Sequence, residues 1–367
     1  MSRFVIACGG TGGHLAPGIC LAEELRARGQ ECLLIVSRKD IDSRLLEKYP
    51  HLEFRRAPGT GLSWRPVPLL RFCWSQAQAV LFALGLTRRW RPDAYVSFGG
   101  FLSLGLAVVC RVRGIPVVLH EANRIPGKAV RTLGKFADRV WLPDGVRIAR
   151  LPAAVQRDAG FPVRREIRKI PQAEARRQLG LAEEGKLLLV LGGSQGAAAL
   201  NRWAEENAAA IVEAGAQILC VAGPGQRQPE TRRIEAGGVA RDVRFVPFCD
   251  RMAAALSAAD LVVSRAGAGS IAEMVACGVP PVLVPLPTSA DGHQDENARF
   301  VAEHGGGLVV AQGNWELLTT TVTELLRDDA RREKLRAGTL ALRCFNDWSA
   351  MVDDLLKLGG AREARRK

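Results

Sequence analysis

The sequence predicts an α/β protein of two domains, each built on a mostly parallel sheet with helices on both faces. Three observations predict this class. Short apolar segments alternate with helical segments in both halves of the chain, as in parallel strands joined by helical crossovers. A glycine-rich loop follows a predicted strand in each half, at residues 9–14 and 192–197. The length of 367 residues is enough for two domains with separate cores.

The first half contains apolar runs with the length and β-branched content of buried parallel strands. A helix is predicted from about residue 17 to residue 28. Glycine-rich or polar segments follow three of the strands, at residues 9–14, 99–100 and 120–123, where sheets of this kind bind ligands. The predicted strands are residues 4–8, 32–36, 94–97, 117–119 and 140–142.

The alternation stops before residues 162–165, which we interpret as a hinge. A hinge at this place predicts a first domain of residues 1–163 and a second domain of residues 164–340. The alternation begins again in the second domain. Residues 341–367 are predicted to be helical and to pack back on the first domain. The predicted elements of the second domain are strands at residues 186–191, 217–222, 243–246, 261–263 and 282–284, and a helix at residues 198–214.

Residues 264–297 combine a small-residue loop with a predicted helix N-terminus. The loop of residues 266–270 follows a buried strand, and the helix is predicted from Ile271, with Glu273 in its first turn. Backbone N–H groups and the positive end of the helix dipole suit a phosphate. Glu273 is placed to accept hydrogen bonds from a ribose, so a nucleotide diphosphate fits this pattern. The alternative is a glycine loop that serves packing alone.

The positive charge is concentrated in the first half. Residues 1–163 carry 24 Lys and Arg against 12 Asp and Glu, a balance of +12. Residues 164–367 carry 27 against 26, a balance of +1. The basic half should therefore face an anionic partner, such as a phospholipid surface, a nucleic acid or a pyrophosphate substrate. No nucleic acid is expected, because the sequence has no recognisable binding module and few aromatic residues for base stacking.

The cysteines and the N-terminus predict the cellular compartment. Nine dispersed cysteines without a C-x-x-C pair or metal-ligand spacing predict a reducing environment and no metal site. The N-terminus enters a strand at once, so no signal peptide is expected. We expect no membrane span of about 18 residues, because the best apolar run, residues 102–110, ends at Arg111.

A dinucleotide site is the first alternative for residues 9–14. Gly10 and Gly12 give G-x-G, but the third glycine of that motif would fall at Leu15. Arg38 follows the second predicted strand in place of a ribose-binding acid, which keeps only an NADP-type site open. The repeated glycine loop counts against this alternative, because a dinucleotide enzyme seldom repeats the loop in its second half.

Several motifs resemble those of the MurG family and span nearly the whole chain in order. The loop Gly9-Gly10-Thr11-Gly12-Gly13-His14, with Pro17-Gly18 behind it, resembles the first loop of that family. Residues 192–197 match its GGSQGA loop without change. Residues 265–273 and 294–297 fit its donor-binding stretch.

Two further motifs depart from the family at one position each. Residues 120–123 resemble its HEQN segment with Ala122 in place of Gln, which removes one possible acceptor contact. Residues 160–164 resemble its GNPVR hinge with Phe161 in place of Asn, which removes a polar side chain.

The resemblance implies a GT-B glycosyltransferase, with two facing Rossmann-like domains and a cleft between them. It implies inverting transfer of N-acetylglucosamine from UDP-N-acetylglucosamine to the 4-hydroxyl of the muramoyl sugar of lipid I, giving lipid II for peptidoglycan synthesis. The first domain would face the acceptor and the cytoplasmic side of the inner membrane as a peripheral enzyme, and the second would bind the donor. No cofactor and no metal are implied. The alternative is another GT-B UDP-sugar transferase, or a UDP-sugar epimerase, acting on a soluble substrate.

His14 is the first candidate catalytic base, because the ordinary pKa of histidine suits proton transfer near neutral pH. Its alternative role is to orient a phosphate or to cap the helix. Glu121 is the second candidate, although an acid at a strand end often only ties down a loop. Phe248 and Met252 are predicted to pack, with a place beside the uracil as the alternative. By the resemblance, the donor-binding residues are Thr11, Gly12, Gly13, Asn123, Arg164, Ser194, Gln195, Ala268, Gly269, Ser270, Ile271, Ala272, Glu273 and Gln294.

Residues 62–91 interleave apolar and aromatic residues with arginines and contain no acid. One helical stripe of this segment is predicted to be core. Trp64, Leu69, Phe72 and Trp90 are left without a predicted buried role beside the arginines, which favours docking on an anionic membrane surface. A solvated basic face is the alternative. The stripe comprises Leu70, Cys73, Trp74, Ala77, Val80, Leu81 and Leu84, and the arginines are Arg65, Arg71, Arg88, Arg89 and Arg91.

Overall fold

The chain divides into two compact units. Met1–Arg164 and Phe345–Lys367 form the first unit, and Arg165–Cys344 form the second. Within the described ranges, each unit holds a sheet of seven strands with helices packed against it. The predicted α/β class with two mostly parallel sheets is therefore confirmed. The computed structural model describes residues 1–9, 12–37, 46–61, 65–100 and 103–366.

A parallel sheet forms the centre of the first unit. Its strands are β1 (Arg3–Ala7), β2 (Glu31–Val36), β3 (Glu53–Arg56), β4 (Ala94–Ser97), β5 (Val117–His120), β6 (Arg139–Leu142) and β7 (Gln156–Asp158), in the order β3-β2-β1-β4-β5-β6-β7. Alternate residues of a strand point to opposite faces, so Val5 and Ala7 enter one core and Phe4 and Ile6 the other. The sequence does not predict β3 and β7, whose mostly polar residues form the two edges of the sheet.

Helices cover both faces of this sheet. The helix α1 lies on the face that buries Phe4, whereas α2, α3 and α4 contribute to the core on the other face. Helices α2 and α3 pack closely, because a Cβ atom on Gly105 would lie only 2.9 Å from the Cβ atom of Ala79. The bounds are α1 (Gly12–Ala27), α2 (Pro66–Trp90), α3 (Ser103–Val112) and α4 (Lys128–Leu133).

The sheet of the second unit is parallel except at one edge. Its strands are β8 (Lys186–Leu191), β9 (Ala216–Val221), β10 (Glu230–Ala236), β11 (Val239–Val246), β12 (Leu261–Ser264), β13 (Pro281–Leu283) and β14 (Leu308–Val309), in the order β10-β11-β9-β8-β12-β13-β14. The edge strand β10 pairs antiparallel with β11. The sequence does not predict β10, because four of its seven residues are charged. Charged edge strands are common, since they discourage pairing with other chains.

One predicted helix of the second unit is broken in two. The helix predicted at residues 198–214 is interrupted at Asn207, whose amide nitrogen donates to the Trp203 carbonyl at 2.9 Å. The Asn207 side-chain Oδ1 atom accepts from the Thr319 hydroxyl at 2.9 Å, so tertiary contacts hold the break. The helices of this unit are α5 (Gln172–Leu179), α6 (Ala198–Glu206), α7 (Ala208–Glu213), α8 (Met252–Ala258), α9 (Ala268–Cys277), α10 (His293–Glu303), α11 (Trp315–Arg327) and α12 (Asp329–Ala341).

Two helices begin earlier than the sequence predicts. Helix α1 starts at Gly12 rather than near Pro17, and α9 starts at Ala268 rather than at Ile271. The first N–H groups of a helix have no partner within it, so glycine and other weak helix formers are tolerated there. As a result, Glu273 lies in the second turn of α9 and not in the first.

The last helix, α13 (Ser349–Arg366), belongs to the first unit. Met351, Val352 and Leu355 are buried in the core that also contains Phe4. The Asp354 carboxylate accepts hydrogen bonds from Arg139 Nε at 3.1 Å and from Trp141 Nε1 at 3.2 Å. Both apolar and polar contacts therefore fix α13 against the first sheet.

Candidate active site

His14 lies at the carboxyl edge of the first sheet, in the first turn of α1. Its ring lies beside Gly99 and Gly100, which follow β4 with φ values of +99° and +81°. A Cβ atom on Gly100 would lie 3.4 Å from His14 Nδ1 and 3.1 Å from the Gly9 carbonyl oxygen. Positive φ and close approach both favour glycine. The two glycine segments found in the sequence therefore meet around the His14 ring.

The surroundings of His14 keep its ring neutral. The residue is partly exposed, but its Nδ1 atom is buried and has no hydrogen-bond partner among the described residues. Burial lowers the pKa of His14 from the ordinary value of 6.5 to about 4. A neutral imidazole carries a lone pair that accepts a proton. The ring is therefore unprotonated near neutral pH, as a base must be, and its lowered pKa makes it a weaker proton acceptor than an ordinary histidine.

His120, at the end of β5, is buried and packs between aromatic rings. Its ring centroid lies 5.0 Å from that of Phe98 and 6.3 Å from that of Phe161, and its Nε2 atom lies 3.1 Å from the Gly160 carbonyl oxygen. Burial lowers the pKa of His120 to about 4, although the contact with Gly160 opposes this shift. His120 thus links β5 to the segment that leaves the first sheet.

Lowering the pH from 6.5 to 4 is expected to destabilise the protein. Unfolded histidines bind protons near pH 6.5, whereas folded His14 and His120 bind them only near pH 4, so the unfolded state takes up more protons in this window. Their contribution to stability is complete above pH 6.5 and declines as the pH falls towards 4. Thermal unfolding of His120→Gln should show a smaller loss of Tm over this range than the wild type. The exposed control His304→Gln should lose as much Tm over this range as the wild type. If His120→Gln loses the same amount, His120 does not contribute to the pH dependence.

Glu121 ties down the loop that follows β5. Its Oε1 atom accepts from the backbone N–H of Asn123 at 2.9 Å and from the Asn123 amide at 3.2 Å, and its Oε2 atom accepts from the backbone N–H of Gly127 at 2.6 Å. Burial raises the pKa of Glu121, and these hydrogen bonds oppose the rise. Both carboxylate oxygens are therefore engaged in shaping the loop. This arrangement favours His14 over Glu121 as the catalytic base.

The other predicted residues of the first unit lie at two places. Gly12 and Gly13 are the first residues of α1, while Thr11 lies outside the described residues. Arg164 is partly buried and is the last residue of the first unit before the chain enters the second.

Residues 160 and 161 are hydrogen-bonded to the segment that leads into α13. Phe161 is buried, and its backbone N–H donates to the Asn346 side-chain oxygen at 2.8 Å. The neighbouring Gly160 N–H donates to the Asp347 carbonyl at 2.7 Å. These contacts join residues 160–161 to the segment that leads into α13, and they do not depend on the side chain at residue 161.

Ser194 and Gln195 are exposed in the loop that follows β8. In the same loop, Gly196 has a φ of +76°, and a Cβ atom there would lie 1.9 Å from the Ala222 carbonyl oxygen. Gly223, just after β9, has a φ of +102° and packs directly against Gly196. Two glycine turns therefore contact each other through their backbones, which leaves the Ser194 side chain at the surface of the carboxyl edge.

The N-terminus of α9 lies at the same edge. Strands β8 and β12 pair in parallel, with Leu191 opposite Ser264, so the loop after β8 and the start of α9 leave from neighbouring positions. Gly267 caps α9 without a side-chain hydrogen bond, so its first backbone N–H groups suit an anion. The side chain of Ala272 is buried, so only its backbone can serve a ligand. The partly buried residues of this segment are Ala268, Gly269, Ser270, Ile271 and Glu273.

Gln294, the second residue of α10, is oriented by the loop before it. Its Oε1 atom accepts from the Leu286 N–H at 3.0 Å. This hydrogen bond fixes the orientation of the amide, so the NH₂ group is the donor that Gln294 offers to a ligand. Asn297 is buried, and its amide donates to the Ala266 carbonyl at 3.1 Å. This contact joins α10 to the loop before α9.

Arg265 holds the ends of three strands, a structural role that the sequence analysis does not predict. Its buried guanidinium donates to the carbonyls of Val284 at 3.0 Å and Pro285 at 3.2 Å, and to Gln312 Oε1 at 2.6 Å. Phe248, at the end of β11, is 41% exposed, and Met252 is the partly buried first residue of α8. Among the described residues, no group of three or more His, Cys, Asp or Glu side chains is placed to hold a metal.

A large apolar surface lies on α2 and α3, and we call it the α2–α3 apolar face. The prediction that the α2 stripe is core is wrong, since Leu70 is 71% exposed and Trp74 is 69% exposed. Close packing of α2 on α3 uses small residues such as Ala79 and Gly105, so the larger side chains remain outside. Trp64 lies outside the described residues. The face comprises Val67, Leu70, Trp74, Leu81, Leu84, Leu104, Val108 and Val112.

Helix α2 is also the part of the described chain with the composition of a membrane span. Pro66–Trp90 is long and apolar enough to cross a bilayer by length and composition, which corrects the choice of residues 102–110 as the best candidate. A core helix of a soluble protein can have the same length and composition. The inner side of α2, with Ala79, Ala83 and Leu86, is buried in the first unit.

Sequence comparisons place both units in a known group of proteins. Residues 4–142 match the Glycosyltransferase family 28 N-terminal domain, and residues 187–342 match the Glycosyltransferase family 28 C-terminal domain. A protein of Opitutus terrae is 48% identical over 97% of this chain and 94% of its own length. A protein of Clavibacter michiganensis is 35% identical over 100% of this chain and 99% of its own length. Both are named UDP-N-acetylglucosamine–N-acetylmuramyl-(pentapeptide) pyrophosphoryl-undecaprenol N-acetylglucosamine transferase.

Solved structures with the same fold include two glycosyltransferases. The crystal structure of Acinetobacter baumannii MurG has a TM-score of 0.70 at 23% identity, covering 98% of this chain and 99% of the other. The glycotransferase of kitacinnamycin has a TM-score of 0.71 at 16% identity, covering 97% and 98%. At these identities the likeness concerns the fold alone.

Proposed function

Because the chain belongs to the MurG family within glycosyltransferase family 28, we propose that it transfers N-acetylglucosamine from UDP-N-acetylglucosamine to lipid I. The acceptor atom is the 4-hydroxyl oxygen of the muramoyl sugar, and the product is lipid II for peptidoglycan synthesis. The observation that carries the proposal is the near full-length identity to relatives named for this transfer.

We assign donor binding to the second unit. The backbone N–H groups at the start of α9 and the exposed Ser194 loop support a diphosphate site, because both lie at one edge of the sheet and both donate hydrogen bonds. Glu273, in the second turn of α9, accepts from the ribose hydroxyls, and the Gln294 amide donates to the sugar. The first unit then takes the acceptor.

The reaction is a displacement at the anomeric carbon. The 4-hydroxyl oxygen forms the new glycosidic bond, the bond to the UDP oxygen breaks, and the configuration inverts from α to β. His14 accepts the hydroxyl proton, since its ring is neutral at physiological pH. The leaving UDP gains negative charge, which the backbone N–H groups at the α9 N-terminus stabilise.

An assay with labelled UDP-N-acetylglucosamine and a lipid I analogue tests this reaction. The expected product is a β-1,4-linked disaccharide that keeps the lipid diphosphate. A parallel reaction uses a soluble muramoyl acceptor without the lipid diphosphate, and a third omits the acceptor. Transfer to the soluble acceptor alone, or epimerisation of the donor without an acceptor, would replace the proposal with one of the two alternative functions.

We also propose that the α2–α3 apolar face docks peripherally on the cytoplasmic side of the inner membrane. Its exposed side chains include Trp74 at 69% and Val112 at 82%, which are unusual on a surface that meets only water. Arg88 and Arg89 are exposed in the last turn of α2, and Arg111 is exposed in that of α3. Apolar burial combined with anionic attraction is the pattern of interfacial binding. Because the inner side of α2 is packed in the first unit, this helix lies on the bilayer rather than crossing it.

Replacing Arg88, Arg89 and Arg91 with Ser is expected to weaken binding to anionic vesicles. Each basic residue near an anionic leaflet contributes about 1 kcal/mol, so the triple variant should lose on the order of a hundredfold in affinity at low salt. Co-sedimentation with phosphatidylglycerol-containing and neutral vesicles measures it. The matched control replaces Arg202, Arg233 and Arg331 of the second unit with Ser, giving the same change in net charge. Equal binding by both triple variants, or equal binding to neutral vesicles, would overturn the docking surface.

A further inference from the structure

Arg343 caps the C-terminal end of α9. It lies in the short 3₁₀ segment Leu342–Asn346, at the end of the second unit. Its Nε atom donates to the Val275 carbonyl at 3.2 Å, and a terminal guanidinium nitrogen donates to the Ala276 carbonyl at 2.7 Å. The Val275 carbonyl also accepts from the Gly278 backbone N–H at 3.1 Å. Carbonyls in the last turn of a helix have no partner further along the helix, so for the Ala276 carbonyl the Arg343 contact takes the place of water.

Two further cations lie around the same helix end. Arg336 donates to the Gly278 carbonyl at 3.4 Å. Burial lowers the pKa of Lys169, and the nearby charges of Arg336 and Arg343 lower it further. Cations at a helix C-terminus interact favourably with the negative end of its dipole. Arg336 and Arg343 therefore contact the C-terminal end of α9, while Lys169 donates to the Ser257 carbonyl of α8 at 3.3 Å and adds positive charge nearby.

The opposite end of α9 is restrained differently. Gly267 provides no side-chain cap there, whereas the C-terminal end has the left-handed Gly278 and the Arg343 side chain. A helix of ten residues is about 15 Å long, and its internal hydrogen bonds make it stiff along its axis. A restraint at its C-terminus therefore sets the position of its N-terminal turns, where Glu273 lies.

We propose that Arg343 is a positioning residue for donor binding, acting through α9. The proposal rests on the proposed function only in taking the first two turns of α9 as the nucleotide site. Arg343 contacts α9 at its C-terminal end. It therefore fixes the position of α9 along its axis and the direction of that axis without touching the donor. The chemical step, which depends on His14, does not depend on Arg343.

The test compares Arg343→Ala and Arg343→Lys with a matched control, Arg244→Ala. Arg244 caps α5 in the same way, donating to the carbonyls of Leu179 at 2.7 Å and Gly180 at 2.8 Å, but α5 carries no proposed donor residue. Arg343→Ala should raise the donor KM and the Kd for UDP by about threefold to tenfold, with kcat and the acceptor KM unchanged. Arg343→Lys keeps the charge and one donor, so its values should lie between those of Arg343→Ala and the wild type.

Arg244→Ala should lower the Tm by about as much as Arg343→Ala does, but it should keep the wild-type Kd for UDP. Equal nucleotide affinity of Arg343→Ala and Arg244→Ala would overturn the proposal and leave Arg343 a purely structural cap. An equal loss of kcat and of donor affinity in Arg343→Ala would also overturn it. The Kd for UDP, measured by calorimetry, needs no turnover, so this result stands apart from the outcome of the transferase assay.

Discussion

Replacing His14 with Ala is expected to lower kcat by about 10²–10⁴ and to leave the donor KM nearly unchanged. General base catalysis by a positioned side chain contributes a factor of this size. The ring lies against Gly99 and Gly100 at the carboxyl edge of the first sheet, where burial holds it neutral. Steady-state kinetics with the lipid I analogue measure the effect. The exposed His304 provides the control, and His304→Ala should keep the wild-type kcat.

The pH dependence gives a second measure of the same residue. Because the pKa of His14 is lowered to about 4, the ring stays unprotonated from neutral pH down towards pH 4. Binding of an acceptor diphosphate beside the ring would raise this pKa, since a nearby anion favours the protonated form. The acid limb of kcat/KM, which reports the free enzyme, should therefore lie well below pH 6.5 and be absent in His14→Ala. If donor binding collapses while kcat at saturation survives, His14 is a phosphate ligand and Glu121 becomes the better base.

The strands that the sequence locates are those with both faces buried. Lys186–Leu191 and Ala94–Ser97 are found with their observed bounds, because continuous apolar runs are characteristic of buried parallel strands. Edge strands do not give this signal. Glu230–Ala236 is mostly charged and is held by antiparallel pairing with β11, which only the folded chain reveals.

The exposure of α2 and the roles of Glu121 and Arg265 depend on tertiary contacts. The periodicity of α2 predicts that its large apolar stripe is core, but the packing of Gly105 against Ala79 buries the face with the smaller residues instead. Glu121 is recognised from its motif, but its hydrogen bonds to Asn123 and Gly127 arise from a loop conformation that the motif does not encode. Arg265 belongs to a matching motif, yet its hydrogen-bond partners come from two separate segments, one after β13 and one after β14. Sequence therefore identifies these residues better than it identifies what they contact.

Replacing Glu273 with Ala is expected to raise the donor KM about tenfold to a hundredfold and to leave the acceptor KM unchanged. A hydrogen bond to a charged group contributes roughly 1.5–3 kcal/mol, which corresponds to this range. Glu273 is partly buried in the second turn of α9, so its carboxylate can reach a ribose next to a diphosphate held at the helix N-terminus. Glu273→Gln keeps the shape but weakens the charge-assisted bond, so its donor KM should lie between those of Glu273→Ala and the wild type.

Binding of a 2′-deoxy donor shows whether Glu273→Ala acts through a lost contact with the ribose or through a general loss of structure. The wild type should bind 2′-deoxy UDP-N-acetylglucosamine more weakly than the natural donor, whereas Glu273→Ala should hardly distinguish the two, because the partner of the hydroxyl is already missing. Glu296→Ala is the control, since Glu296 lies on the neighbouring helix α10 and pairs with Arg299. That variant should discriminate between the two donors as the wild type does. An unchanged donor KM with a raised acceptor KM in Glu273→Ala would remove Glu273 from the donor site and, with it, the placement of the ribose beside α9.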